Sequence, residues 1–256
     1  MHKYVTTMNR TRAVLAAVVL LGGGIISAHA ADPAPLPPER TNWVTSAAAG
    51  LTLTRGNSDT LLVTLGADTK RKWETEELSF GVLGGYGEDN DVKNNEFIQG
   101  FGQYNHLFTE RFYAGLRLDG AYDGIANLDY RFTVTPLAGY YLIKNARTTL
   151  AVEVGPSAVL EKYSGQAQDN YIGIRFAERF EHKLTDTTKI WEAVSYTPQV
   201  DDWINNYVIV AELGIDTAIT KKWSLRVVLQ DTYVNEPAIG REPNDLRLIA
   251  GTAYQF

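Results

Sequence analysis

The end of the chain, residues 245–256, alternates between two kinds of side chain. One face carries Leu246, Leu248, Ala250, Thr252, Tyr254 and Phe256. The other face carries Asp245, Arg247, Gly251, Ala253 and Gln255, with Ile249 as the one apolar exception. A period of two residues is typical of a β-strand with one apolar and one polar side. We therefore expect the chain to end in an amphipathic strand whose last residue is aromatic.

The start of the chain has the pattern of a secretory signal peptide. Basic residues (Lys3, Arg10, Arg12) precede an apolar run at 13–26 and an Ala-x-Ala site ending at Ala30. A run of about fourteen residues is shorter than the roughly 20 that a spanning helix needs. We expect cleavage after Ala30, which assigns 1–30 to the signal peptide. A proline-rich periplasmic leader would follow at 31–42, because clustered prolines do not pair in sheets.

Composition excludes several classes of function. The chain has 24 Lys+Arg and 30 Asp+Glu, and loss of the three basic residues above would leave 21 against 30, a charge of −9. Such an acidic chain is a poor candidate for binding nucleic acid, which depends on neutralising phosphates. It has no cysteine, so disulfides and thiolate metal sites are excluded, and we expect neither cofactor nor metal. After residue 30 no apolar run approaches spanning-helix length, so any membrane span must be β.

About twelve stretches of strand character follow Trp43, each near the length of a membrane-spanning strand. In the fifth, Leu116 and Leu118 share an apolar face, opposite Arg117 and Asp119. The stretches at 43–55, 96–108 and 189–198 alternate less cleanly. Aromatic residues fall at the ends of the apolar faces, as in the girdles of transmembrane barrels. The fold class predicted is all-β: a transmembrane antiparallel up-and-down β-barrel of about twelve strands, spanning 43–256.

The lengths of the connections also alternate, as short periplasmic turns and longer outer loops do in outer-membrane barrels. The expected short turns are 74–77, 109–111, 144–147, 185–188 and 220–222. The expected longer loops are 88–95, 124–129, 161–170, 201–206 and 235–244.

The arginines identify the polar face as the lumen, since Arg or Lys facing lipid at mid-bilayer costs roughly 2–4 kcal/mol. Glu178 is an exception on the apolar side, which indicates either a bulge that turns it inward or an error in our register. The residues predicted to line the pore are Arg117, Asp119, Glu153, Arg175, Arg179, Glu212, Asp216, Arg226 and Arg247.

Two prolines, Pro136 and Pro156, fall within neighbouring predicted strands and nearly opposite each other about the turn between them. Proline donates no backbone hydrogen bond, so we expect a bulge or a local opening in this hairpin. A curvature device is favoured over a lateral gate.

Several motifs together resemble a known family. They are Arg55-Gly56-Asn57-Ser58-Asp59-Thr60, Phe108-Thr109-Glu110-Arg111-Phe112-Tyr113, Gly155-Pro156, Tyr196-Thr197-Pro198 and Tyr254-Gln255-Phe256. The chain resembles the YdiY-like salt-induced outer-membrane protein family, a domain of unknown function (DUF 481). The resemblance implies a barrel in the bacterial outer membrane, linked to salt or envelope stress, and it supplies no catalytic residues.

Expected partners follow from that location. They are outer-membrane lipids, lipopolysaccharide and the barrel-assembly machinery, which would read a membrane-insertion signal at Tyr254 and Phe256. The oligomeric state is left open.

Three functions remain open from the sequence. The first is a channel for small solutes or ions, or an envelope component responding to osmotic stress, with a polar charged lumen. The second is a closed structural barrel that stabilises the envelope or docks a partner. The third and minor one is a lipid-modifying enzyme. We expect no enzyme, because neither His106 nor His182 has a serine two positions on, as a phospholipase-like pair would.

Overall fold

The structure is a computed structural model that describes residues 43–55, 60–89 and 92–256. The signal peptide and leader predicted for 1–42 lie outside these residues. The strands are β1 (Val44–Arg55), β2 (Thr60–Lys72), β3 (Glu76–Asp89), β4 (Val92–Leu107), β5 (Phe112–Asp123), β6 (Leu128–Lys144), β7 (Thr148–Tyr163), β8 (Asp169–Lys183), β9 (Thr188–Pro198), β10 (Tyr207–Ala218), β11 (Trp223–Val234) and β12 (Asn244–Gln255).

These strands form one closed barrel in which every strand pairs antiparallel with its neighbours in the chain. Closure comes from β1 and β12, whose register runs from Ser46↔Gln255 to Arg55↔Leu246. The predicted twelve-stranded up-and-down barrel is therefore confirmed. We call the end at which β1 begins and β12 ends the terminal end, and the opposite end the loop end. None of the described segments is a helix long and apolar enough to cross a membrane.

The two faces of the strands follow the predicted alternation. Leu116 and Leu118 are exposed on the outside, whereas Arg117 between them is turned inward and bonded to lumen side chains. In β12, Leu248 is exposed outside and Arg247 is buried inside. The barrel thus carries an apolar belt on its outer surface and polar groups in its interior, as a bilayer requires.

Aromatic rings border this belt at both ends of the barrel. At the terminal end, Trp223 packs against Tyr254 with centroids 5.0 Å apart, and Arg71 lies 4.6 Å from the Trp73 ring. A second cluster borders the loop end and consists of Phe176, Tyr196, Trp203, Tyr207 and Tyr233. Such girdles suit the headgroup layers on either side of a bilayer core.

The predicted outer loop at 88–95 is wrong, because β3 continues to Asp89 and β4 begins at Val92. A register shift between Gly87 and Glu88 lets the polar sequence remain in the ladder. The charged residues in this stretch suggested a loop. Strand ends that extend beyond the apolar belt do not need alternating apolar and polar side chains, so they can carry such residues. Among the loop-end connections, those at 164–168, 199–206 and 235–243 are longer than the turns at the terminal end.

The proline hairpin is interrupted as predicted. The β6–β7 ladder passes from Val134↔Ala158 to Ala138↔Val154, and Pro136 stands opposite Pro156 in the gap without a register shift there. The backbones stay close, since a Cβ on Gly155 would lie 2.1 Å from the Pro136 carbonyl oxygen. Backbone ladder pairs are missing at this line, but the Thr135 and Ser157 hydroxyls are hydrogen-bonded across it at 2.8 Å, so the strands do not separate.

Glu178 lies on the outer face, so a bulge that turns it inward is the wrong interpretation. It pairs with Val152 on β7 and Val194 on β9, and neither ladder shifts register. Glu192, on the adjacent strand, faces outward as well and is close enough to repel it electrostatically. The strand keeps its alternation, and the Glu178 carboxylate therefore faces lipid. The free-energy cost of a lipid-facing Glu is smaller than that of a lipid-facing Arg or Lys.

Candidate functional site

The interior of the barrel is the candidate site. The strand register places all nine predicted pore-lining residues on its inner face. Whether they line a conducting pore stays a proposal. They do not form one site but are divided among several clusters at different heights.

The largest group is the Glu153 cluster, which contains four of the nine predicted residues. Glu153 accepts hydrogen bonds from Arg175 Nη1 (2.9 Å) and Gln103 Nε2 (2.7 Å). The Gln103 carbonyl in turn accepts one from Arg117 Nη1 (3.0 Å), and Arg117 pairs with Asp119 at 2.7 Å. This chain of bonds crosses β5 and β6, so it ties β4 to β7 inside the barrel.

Glycines on the wall make room for this cluster. Tyr113, 1% exposed, donates to Glu153 (3.0 Å) and lies flat over Gly139. A Cβ on Gly139 would be 2.2 Å from the Tyr113 ring. An interior of this kind needs small residues wherever an aromatic ring lies along the wall.

A second group, the Arg226 bridge, links β10, β11 and β2. Arg226 donates to Asp216 (2.9 Å) and to Asp68 (3.0 Å). To reach Asp68 it passes over Gly251 and Gly50, which are paired on β12 and β1. Neither glycine has a side chain that would block the path.

The third group spans the lumen near the loop end, and we call it the Arg247 constriction. Arg247 Nη2 donates to Asp123 Oδ2 at 2.7 Å, and Gln99 Nε2 donates to Gln230 Oε1 at 3.1 Å. The guanidinium of Arg247 also lies 4.3 Å from the Phe97 ring. Both bonds join strands that have four strands between them on one side and six on the other. They therefore cross the lumen.

These bonds require a flattened barrel. A circular barrel of twelve strands would be roughly 24 Å across, given strands about 4.8 Å apart and tilted by about 40°. An arginine and an aspartate joined by one hydrogen bond span at most about 14 Å between their Cα atoms. The walls bearing Arg247 and Asp123 therefore approach each other well inside the circular distance.

The two remaining predicted residues bind near neighbours. Glu212 accepts a hydrogen bond from the Trp191 indole (2.6 Å), and Arg179 pairs with Glu181 (2.8 Å). Sequence reasoning missed the partners Asp68, Gln99, Gln103 and Asp123. Asp68 and Asp123 do lie on the polar parity of their strands, and that signal could have included them.

Cavities lined by the described residues lie within the lumen, and two of them adjoin Arg226. The larger, the terminal vestibule, has a volume of about 250 Å³ at the terminal end, and its lining includes Lys70, Lys189 and Arg226. The smaller holds about 30 Å³ beside Thr64 and Ile249, enough for a water molecule. Arg226 lines both cavities, which places them next to each other along the lumen.

The two histidines of the described residues lie apart from the lumen clusters above. The described residues contain one hydroxyl–imidazole contact, Thr148 Oγ1 to His182 Nδ1 at 2.8 Å, with no carboxylate bonded to that ring. His106 instead packs against Phe108. Within the same residues no group of three potential ligands could hold a metal ion.

The fold is similar to those of solved outer-membrane porins. The NanC porin has a TM-score of 0.56 at 7% identity, with 82% of this chain and 100% of that chain covered. The KdgM porin has a TM-score of 0.48 at 11% identity, with 83% and 99% covered. At these identities the likeness concerns the fold alone.

Residues 47–256 match the family model described as "Protein of unknown function, DUF481". The chain belongs to this DUF481 family. A comparison with curated protein sequences gives no match.

Proposed function

We propose that this barrel is a narrow channel for ions or small polar solutes in the bacterial outer membrane. The terminal end would face the periplasm, and the apolar belt would contact lipid and lipopolysaccharide. The observation that carries the proposal is the nature of the Arg247 constriction. Two hydrogen bonds between side chains cross the lumen there, and a cavity bordered by lysines lies on its terminal side.

The Arg247 constriction can open by side-chain movement alone, without any movement of the strands. Arginine and glutamine side chains change rotamer far faster than a barrel rearranges. Mixed charges along the walls replace part of the hydration shell of a passing ion, as in other selective pores. A twelve-stranded barrel also encloses a wider interior than an eight-stranded barrel, whose own side chains just fill its lumen.

The competing function is a closed structural barrel. It is favoured by the burial of Arg247, which is 7% exposed, and by the saturation of the Glu153 cluster with hydrogen bonds. In that case the polar interior would stiffen the barrel, and the loop end would be the surface that meets a partner.

Conductance separates these two functions. Residues 31–256 would be refolded in detergent and inserted into a planar bilayer, and single-channel current would be recorded in KCl. We expect small steps for the unchanged protein and larger steps for the double variant Arg247→Ala with Gln230→Ala. Lys162→Ala, on the outer side at the loop end, is the matched control and should leave the steps unchanged. A folded barrel that is silent in both forms would overturn the channel and support the structural barrel.

The link to salt or osmotic stress is a separate part of the proposal and rests on the family resemblance. A strain lacking the protein should grow more slowly after an osmotic upshift and recover with the unchanged gene. Growth identical to the parent strain across salt concentrations would contradict this role.

A further inference from the structure

Lysines surround the terminal vestibule. They come from β2, β8, β9 and the turn at 219–222, and they are Lys70, Lys183, Lys189, Lys221 and Lys222. The carboxylates in the same lining are Asp68, Asp186 and Asp216. Arg226 is bonded to both Asp68 and Asp216 but carries a single charge, so the lining holds six basic side chains against three carboxylates and keeps an excess of positive charge.

The contacts of these lysines within the described part of the chain leave their charges unpaired. Among the residues that the structure describes, no carboxylate forms an ion pair with Lys70, Lys183, Lys189 or Lys221. Glu181 attracts Lys70 from the opposite wall, but it is already paired with Arg179 at 2.8 Å. Lys222 contacts the Tyr254 hydroxyl at 3.2 Å, which leaves its charge uncompensated.

The rest of the lumen differs in this respect. Farther from the terminal end, the buried cations are paired with carboxylates: Arg117 with Asp119, Arg131 with Glu161, Arg175 with Glu153 and Arg247 with Asp123. The unbalanced positive charge is therefore confined to the vestibule. A concave site lined by one sign of charge concentrates ions of the opposite sign.

We propose that the terminal vestibule binds small oxyanions carrying two or more negative charges, and that it makes the pore prefer anions. Lysine ammonium groups bind phosphate oxygens as point charges. A volume of about 250 Å³ is below the usual range for drug-sized ligands, so the ligand is small. Oxyanion binding stands independently of conduction, whereas the anion preference rests on the channel function proposed above.

Calorimetric titration with pyrophosphate tests the site. The refolded barrel, residues 31–256 in detergent at fixed ionic strength, would be compared with the double variant Lys183→Gln with Lys189→Gln. The matched control, Lys93→Gln with Lys162→Gln, removes the same charge at the loop end, where both lysines are paired with carboxylates. We expect the vestibule variant to bind at least tenfold more weakly and the control to bind like the unchanged protein. Equal weakening in both, or no binding by the unchanged protein, would overturn the site.

Reversal potentials across a KCl gradient test the preference. The unchanged barrel should favour chloride, the vestibule variant should lose that preference, and the loop-end control should retain it. If the barrel binds pyrophosphate but never conducts, the oxyanion site is supported and the channel function is contradicted. If the barrel conducts with a preference for cations and does not bind pyrophosphate, the channel function is supported and the oxyanion site is contradicted.

Discussion

Gln230 and Arg247 are partners in the β11–β12 ladder, and both of their side chains reach the opposite wall of the barrel. Two neighbouring positions of one wall thus hold two positions of the other, Gln99 and Asp123. The contributions of these two hydrogen bonds to stability should be coupled, because loss of one bond lets the walls move and weakens the other.

The pair of Asp123 and Arg247 should contribute measurably to stability. Asp123→Asn keeps the Oδ1 acceptor for the backbone amides of Ile125 and Ala126 but removes the charge that faces Arg247. Loss of one partner from a buried ion pair should lower the free energy of unfolding by about 3 kcal/mol. Urea unfolding followed by tryptophan fluorescence would measure it. Asp129→Asn, whose pairing with Lys162 is half-exposed, should cost less than about 1 kcal/mol, and equal costs would contradict the prediction.

Gly139→Ala should damage the Glu153 cluster, because the new methyl group would overlap the Tyr113 ring. Overpacking of a filled interior typically costs 1–3 kcal/mol, so we expect roughly that loss and a lower yield of folded barrel. The matched control is Gly120→Ala, where the nearest atoms, on Phe132, lie at 3.5 Å in ordinary contact. The comparison uses unfolding midpoints in the same detergent. A Gly139→Ala barrel as stable as the control would show that Tyr113 can move aside.

The carboxylate of Glu178 should oppose insertion, since it faces lipid on β8. Glu178→Leu should therefore stabilise the barrel in lipid vesicles by on the order of 1 kcal/mol. Glu181→Leu is three positions along the same strand but removes the inward partner of Arg179, so it should destabilise. Unfolding in vesicles measures both changes. A loss of stability in Glu178→Leu would indicate that this outer face contacts a polar partner and not lipid.

The C-terminal aromatic residue should govern assembly more than final stability. Phe256 is 73% exposed and touches the Tyr254 ring, while its backbone amide bonds to Thr45. Phe256→Ala keeps that backbone bond, so the folded barrel should persist. The rate at which cells produce heat-modifiable barrel should fall several-fold. Phe108→Ala removes another exposed aromatic at the terminal end and should assemble at the normal rate. Equal rates for both would contradict an insertion signal at Phe256.

Most of the fold could be predicted from the sequence because every second side chain of a spanning strand must suit lipid. That rule gave the strand number, the outer faces and the inward position of residues such as Arg117 and Arg247. It was less clear in β1, β4 and β9, and for β4 the structure gives a reason. Phe97 and Phe101 point inward there and lie against the guanidinium groups of Arg247 and Arg117. A rule based on polarity assigns apolar rings to the lipid face, so it cannot predict a phenylalanine that covers a cation in the lumen.

The contacts within the lumen could not be predicted from the sequence. Arg247 and Asp123 are 124 positions apart, and their meeting depends on how far the barrel is flattened. The Arg226 bridge likewise depends on glycines of two other strands being aligned beneath it. Period-two alternation assigns a residue to the lumen but leaves its height and its partner undetermined.

The proline interruption has a mechanical consequence. The line between β6 and β7 lies diametrically opposite the line between β1 and β12, which no turn connects. The barrel is therefore two six-stranded shells joined along one seam whose backbone ladder is interrupted at Pro136 and Pro156 and another that no turn connects. Gln99 and Asp123 belong to one shell, and Gln230 and Arg247 belong to the other. The Glu153 cluster, which bonds β4 and β5 to β7, and the Arg247 constriction therefore hold the two shells together beside the interrupted ladder.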